Sequence, residues 1–186
     1  MNIIENLLTP GKNRSKDKIR ELKAVVLHWV AAPNQLPINT RSWWEKGEVY
    51  GSAHYIIGTD GVIMRTLPED EIGYHVGSNQ IDPVSKRIYT DKARAMFGET
   101  ICSQGMVNYY SIGIELEHLN MNPGDFSEAT LLAAAELCAD ILKRNKKTVD
   151  ILTTHHEMVG WKDCPRLWTN NPALFGEFKN MVNKLL

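Results

Sequence analysis

Between Lys23 and Val30 the chain reads Ala-Val-Val-Leu-His-Trp-Val, a continuous apolar and β-branched run that reads as a strand buried on both faces. A sheet holding such a strand must be covered on both sides. Its one polar member, His28, needs a partner, because a buried imidazole with unsatisfied nitrogens costs free energy.

The rest of the chain supplies a sheet and its covering layers. Ala53 to Ile57 and Val62 to Thr66 flank Gly58-Thr-Asp-Gly61, whose Asp-Gly pair tolerates positive φ, so they form a β-hairpin expected beside the first strand. Asn39 to Gly47, with Trp43 and Trp44 among charged residues, reads as a short amphipathic helix ending at a glycine. Ser111 to His118 alternates: Ile112, Ile114 and Leu116 share one face of a strand, and Ser111, Gly113, Glu115 and Glu117 share the other. Asp125 or Ser127 caps a helix running to about Arg144, with Leu131, Leu132, Ala135, Cys138, Ile141 and Leu142 as its buried stripe. A last helix starts near Pro172 and turns Leu174, Phe175, Phe178, Val182 and Leu185 to the core. The segment from Ser78 to Asn108, with a short helix around Asp91 to Phe97, is expected to be an insertion on the substrate side. Strands and helices intermingle, which gives an α/β (α+β) fold: a mixed central β-sheet flanked by helices.

Neither a repeat nor a linker rich in Pro, Gly or Ser divides the 186 residues, so one domain over 1–186 is expected. The formal net charge of -1 supplies no field to hold a polyanion, so neither nucleic acid nor an anionic membrane is the expected partner, and a monomer is the default. The N-terminus lacks a basic region, a sustained apolar stretch and a small-residue cleavage site, so no secretory signal is read. The expectation is synthesis in the cytoplasm, with any action on a cell wall following release by lysis or through a dedicated pore. Three cysteines, Cys102, Cys138 and Cys164, are too few and too scattered for a disulfide framework.

The chemistry concentrates in His155-His-Glu-Met-Val-Gly-Trp-Lys-Asp-Cys-Pro165, where imidazoles, a thiol and a lysine fall within one short segment. Zinc prefers imidazole nitrogen and thiolate sulfur, and a catalytic zinc takes three protein ligands and leaves one position open. His28 suits the third position because a buried strand holds its side chain rigidly. A lone histidine in an apolar strand is, taken by itself, more often a satisfied core residue than a ligand.

Val25-Val-Leu-His28, Ser52-Ala-His-Tyr-Ile-Ile57 leading into Thr59-Asp-Gly61, Tyr74-His-Val-Gly77, Ser111-Ile-Gly-Ile-Glu-Leu-Glu117 and Thr154-His-His-Glu157 with Lys162-Asp-Cys-Pro165 occur in that order. In these motifs the chain resembles the type 2 N-acetylmuramoyl-L-alanine amidases, related to peptidoglycan recognition proteins and to phage and recycling amidases. The resemblance implies their fold, with a zinc ion at the floor of an open groove, and a peptidoglycan or muropeptide substrate cut between N-acetylmuramic acid and L-alanine. It assigns the metal to His28, His155 and Cys164, with His156 as the alternative to His155. It makes Glu115 the general base and Lys162 the cation that stabilises the oxyanion. Many members carry a tyrosine immediately before the histidine of the second strand, where this chain has Ala53.

Other residues carry lesser expectations. His54 is expected to brace the site, His75 to contact substrate and Trp161 to form a groove wall, while Glu117 reads as a solvated carboxylate. Two rival functions remain open: a recognition module that holds muropeptides without cutting them, and a thiol peptidase with Cys164 as nucleophile, which lacks a recognisable motif. Between a phage-type lysin and a cytoplasmic recycling enzyme the sequence does not choose.

Overall fold

The computed structural model describes residues 1–186. Its strands are β1 (Ile3–Glu5), β2 (Ala24–Trp29), β3 (Tyr55–Ile57), β4 (Ile63–Arg65), β5 (Ser111–Leu116) and β6 (Leu152–Thr154). They form one sheet in the order β1-β4-β3-β5-β2-β6, and every pairing is parallel except the β3–β4 hairpin. The helices are α1 (Pro37–Lys46), α2 (Asp91–Phe97), α3 (Glu99–Ser103), α4 (Glu128–Arg144), α5 (His155–Val159), α6 (Arg166–Asn170) and α7 (Pro172–Lys184).

As its composition requires, β2 is buried at every position and lies inside the sheet. Alternation then sorts its side chains. Val25, Leu27 and Trp29 join Ile112, Ile114 and Leu116 in the main core, which α4 and α7 close with Leu137, Cys138, Phe175 and Phe178. Ala24 and Val26 point the other way, onto a second cluster with Ala93 and Phe97 of α2, Cys102 of α3 and Met158 of α5. His28 shares that second face by the period of two.

The hairpin does not lie beside β2 as expected, because β5 intervenes. Six residues of β5 pair in register with six of β2, from Ala24↔Ser111 to Trp29↔Leu116, and satisfy more backbone groups than the three-residue β3 can. The turn itself is as read, with Gly61 at φ +81.

Helix boundaries follow local chemistry. α1 begins at Pro37, two residues before the expected start, and ends at left-handed Gly47, whose N–H donates to the Trp44 carbonyl. Ser127, not Asp125, caps α4 by accepting from the Thr130 N–H. Leu132 of the expected stripe is exposed, and Leu185 falls past the end of α7 and is also exposed. The segment from Ser78 to Asn108 differs from a purely substrate-side insertion. Its α2 and α3 cover one face of the sheet, and only its ends reach the groove, through Ser78, Asn79 and Asn108. No helix is long and apolar enough to cross a membrane.

Candidate metal centre

Three chain segments deliver donor atoms to one point. β2 carries His28, paired in register with Glu115 of the adjacent β5, so both side chains rise from the same face of the sheet. β6 runs directly into α5, whose first residue is His155. A capping box fixes that junction: the Thr154 side chain accepts from the Glu157 N–H, and Glu157 accepts from the Thr154 N–H. The His156 N–H then donates to the Cys164 carbonyl at 2.8 Å and folds the following loop back over the start of α5. This return brings Cys164 to His155.

Donor atoms of His28, His155 and Cys164 all lie within 4.8 Å of one another. His28 Nδ1 is 3.0 Å from His155 Nδ1 and 3.9 Å from Cys164 Sγ. Tetrahedral zinc bond lengths call for about 3.3 Å between two nitrogens and about 3.6 Å between nitrogen and sulfur, so this donor set fits the ion with small adjustments. Each of the three is only 2% exposed. His156, the alternative ligand, sits outside the cluster with Nδ1 2.9 Å from the Lys162 carbonyl oxygen.

Burial sets the protonation of the group. It holds His28 and His155 well below the usual imidazole range, helped by neighbouring histidines and Lys162, so both rings are neutral as ligation requires. Burial likewise pushes the Cys164 thiol up to about 12, with Glu115 adding to the rise and Lys162 opposing it. A thiol nucleophile needs the opposite shift, so the peptidase reading finds no support in this environment. A divalent cation among these donors reverses the balance and draws the thiol to thiolate.

Glu115 completes the floor. Burial raises its carboxyl to about 8, Glu117 adds to this and Lys162 opposes it, while its Oε2 is buried without a partner. Lys162 is exposed at the groove, with Trp44, Tyr50, Tyr74 and Trp161 among the other lining residues. Trp161 forms part of that wall, anchored by its Nε1–H donating to Ser78 Oγ at 2.8 Å. Tyr50 and Tyr74 stack on each other at the rim with ring centroids 4.7 Å apart, a pairing that the sequence did not reveal. Tyr74 stood next to a motif histidine, but nothing in the sequence marks Tyr50.

The other histidines and Glu117 divide as follows. His54 is a brace: Nε2 donates to the Glu71 carbonyl at 2.8 Å and Nδ1 accepts the Gly113 N–H at 3.0 Å. His118 packs against Trp29 with the rings tilted by 34° and lies outside the cluster. His75, expected to contact substrate, does line the groove, and its two ring nitrogens lie within hydrogen-bond reach of His28 and Ser111. Glu117 is not solvated. It is wholly buried, accepts from Thr40 Oγ1 at 2.9 Å, and burial raises it to about 7, because α1 covers the strand end.

These shifts predict a protein that is acid-labile when metal-free. His28, His54, His75 and His155 are held neutral by burial, with His54 lowered to about 4 and His75 to about 3. Their stabilisation is complete above the unfolded value near 6.5 and is lost as pH falls toward the folded values, at about 1.4 kcal/mol per histidine per pH unit. Glu115 and Glu117, raised to about 8 and about 7, act oppositely and lose stability as pH rises from about 4.5. Four histidines outweigh two glutamates, so stability peaks near pH 6.5 and falls toward 4.5. Urea midpoints measured across this range check it, and a midpoint that rises steadily to pH 5 contradicts it.

A sheet strand, a helix start and a returning loop that converge two imidazoles and a thiol beneath an open groove define a candidate mononuclear metal site on an α/β fold. Residues 18–167 match the family described as N-acetylmuramoyl-L-alanine amidase, and the chain belongs to that family. N-acetylmuramoyl-L-alanine amidase BlyA of Bacillus subtilis (strain 168) is 27% identical over 186 residues, covering 98% of this chain and 47% of BlyA. A probable N-acetylmuramoyl-L-alanine amidase of Bacillus licheniformis is 25% identical, covering 91% of this chain and 43% of its own length. The chain thus spans less than half the length of these two relatives. Among solved structures, the catalytic domain of XlyA superposes with a TM-score of 0.70 at 22% identity, covering 98% of this chain and 99% of that one, and shares the fold.

Proposed function

We propose that residues 1–186 form one catalytic domain, a zinc-dependent N-acetylmuramoyl-L-alanine amidase. It cleaves the amide between the lactyl group of N-acetylmuramic acid and the L-alanine of peptidoglycan or muropeptides. The convergence of His28, His155 and Cys164 on one point, with Glu115 in register beside His28, carries this reading. Family membership supports the reaction, and the likeness to a catalytic domain of nearly the same extent supports a self-contained unit.

His28, His155 and Cys164 hold the ion. When bound, zinc supplies a Lewis acid and a water acidic near neutral pH. The protein does the rest. Glu115, fixed by the sheet and with Oε2 free of other partners, accepts a proton from the attacking water and returns it to the leaving amine. Lys162, exposed at the groove, supplies the cation for the developing oxyanion. The stacked Tyr50 and Tyr74 and the anchored Trp161 offer apolar faces for a sugar ring or stem peptide.

Elemental analysis of purified protein, paired with turnover on a defined muramoyl-peptide before and after chelation, tests this. The expected result is near one zinc per chain and chelator-sensitive release of the stem peptide. Zinc-free protein that binds the muropeptide without cutting it supports the recognition-module reading instead.

A further inference from the structure

His28 touches another imidazole through the nitrogen that does not face the metal donors. Its Nε2 lies 3.1 Å from His75 Nδ1, and His75 Nε2 lies 3.3 Å from Ser111 Oγ. Ser111 Oγ is in turn 3.0 Å from the Val107 carbonyl oxygen. A carbonyl oxygen can only accept, which fixes the polarity of the whole chain from this end. Ser111 commits its single O–H to Val107 and therefore accepts from His75. His75 carries its proton on Nε2 and presents a bare Nδ1. His28 then carries its own proton on Nε2, and its Nδ1 keeps a lone pair directed toward His155 and Cys164.

The site is built around this arrangement. A Cβ on Gly113 would lie 2.5 Å from His75 Cγ, and one on Gly73 would lie 3.3 Å from His75 Cδ2, so two glycines leave the slot that the ring fills. The Asn108 side chain holds the backbone of the same turn, accepting from the His75 and Val76 N–H groups at 3.3 and 3.1 Å. The ring meets His28 nearly edge-on, with an interplanar angle of 88°. His155 lacks an equivalent outer partner: its Nε2 is buried without one, and its Nδ1 faces His28 Nδ1.

We propose that His75 is a positioning residue for the metal centre: with Ser111 it forms a hydrogen-bond chain, anchored on the Val107 carbonyl, that locks His28 as the Nε2–H tautomer and leaves Nδ1 ready to bind zinc. This rests on the zinc reading of the site. Partners that orient a ligating histidine in this way are worth about 10–100-fold in metal affinity.

Two measurements test it. Long-range proton–nitrogen NMR on the zinc-free, ¹⁵N-labelled full chain reads the tautomers directly, and the signals lost in His75→Phe identify His75. Both His28 and His75 are expected as Nε2–H, and a proton on His28 Nδ1 overturns the proposal. Zinc affinity by chelator competition is then compared for His75→Phe, which keeps a ring in the slot without an acceptor, and His75→Asn, which keeps an acceptor near Nδ1 without the ring. Weakening by about 10–100-fold in Phe with substantial recovery in Asn supports the hydrogen-bond role. Wild-type affinity in Phe with loss in Asn shows that the ring only packs, and overturns it. Thermal melts of the zinc-free variants establish that each folds. Wild-type protein that binds no zinc sinks the functional reading, while the tautomer spectrum still scores the hydrogen-bond chain by itself.

Discussion

Glu115→Gln is expected to retain its zinc and lose kcat by about 10²–10⁴-fold, the range that removal of a general base commands. The substitution keeps the shape of the side chain and removes only its capacity to take a proton. Zinc should stay because Glu115 lies outside the three converging donors. Register with His28 places the carboxylate beside the proposed metal ligand rather than among the three converging donors. Without the ion, burial raises this carboxyl to about 8, a poor state for a base at neutral pH. A bound cation favours the ionised form, so metal loading and readiness of the base are coupled. Elemental analysis and steady-state kinetics on the same preparation check this. Loss of zinc from Glu115→Gln would make Glu115 a ligand, and undiminished kcat would move the base elsewhere.

What the sequence revealed of this site follows a physical rule. His28 was legible because a polar residue in an apolar strand needs a partner, and Cys164 because it shares one short segment with two histidines and a lysine. The hairpin and the helix stops were legible because Asp60-Gly61 and Gly47 permit backbone angles that other residues resist. These signals are local. Strand order is not local, and the equal lengths of β2 and β5 decided which strand lies beside His28. Glu117 read as a surface carboxylate because nothing in the alternation shows that α1 will cover it.

His75 is the clearest case of what was hidden. Motif position suggested substrate contact, and the residue does line the groove, but what faces its two nitrogens is not written in the motif. Those partners lie 47 and 36 residues away, in β2 and β5. Ser111 and Gly113 appeared in the sequence only as small members of a polar strand face. Their use, a relay hydroxyl and an open slot, emerges once the second face of the sheet is assembled. His155 was separated from His156 by the same kind of information, because only the capped start of α5 decides which ring enters the cluster.

Cys164→Ala should abolish tight zinc binding and, with it, hydrolysis. The thiolate is the only anionic ligand among the three converging donors, and two neutral imidazoles alone leave the ion's charge uncompensated in a buried setting. In the zinc-free protein the same change should matter little, because the buried thiol is protonated there and behaves as a small apolar group. The two states therefore separate metal loss from misfolding. Free zinc at 100 times its Kd stabilises wild type by about 2.7 kcal/mol, a rise in Tm that should vanish in Cys164→Ala while the zinc-free Tm stays close to wild type. His156→Ala is the matched control and should keep its zinc, because that ring faces the Lys162 carbonyl instead of the cluster. Zinc-dependent stabilisation that survives in Cys164→Ala would require a different ligand set. Loss of it in His156→Ala would exchange the roles of the adjacent histidines, and with them the geometry that puts Glu115 beside the ion.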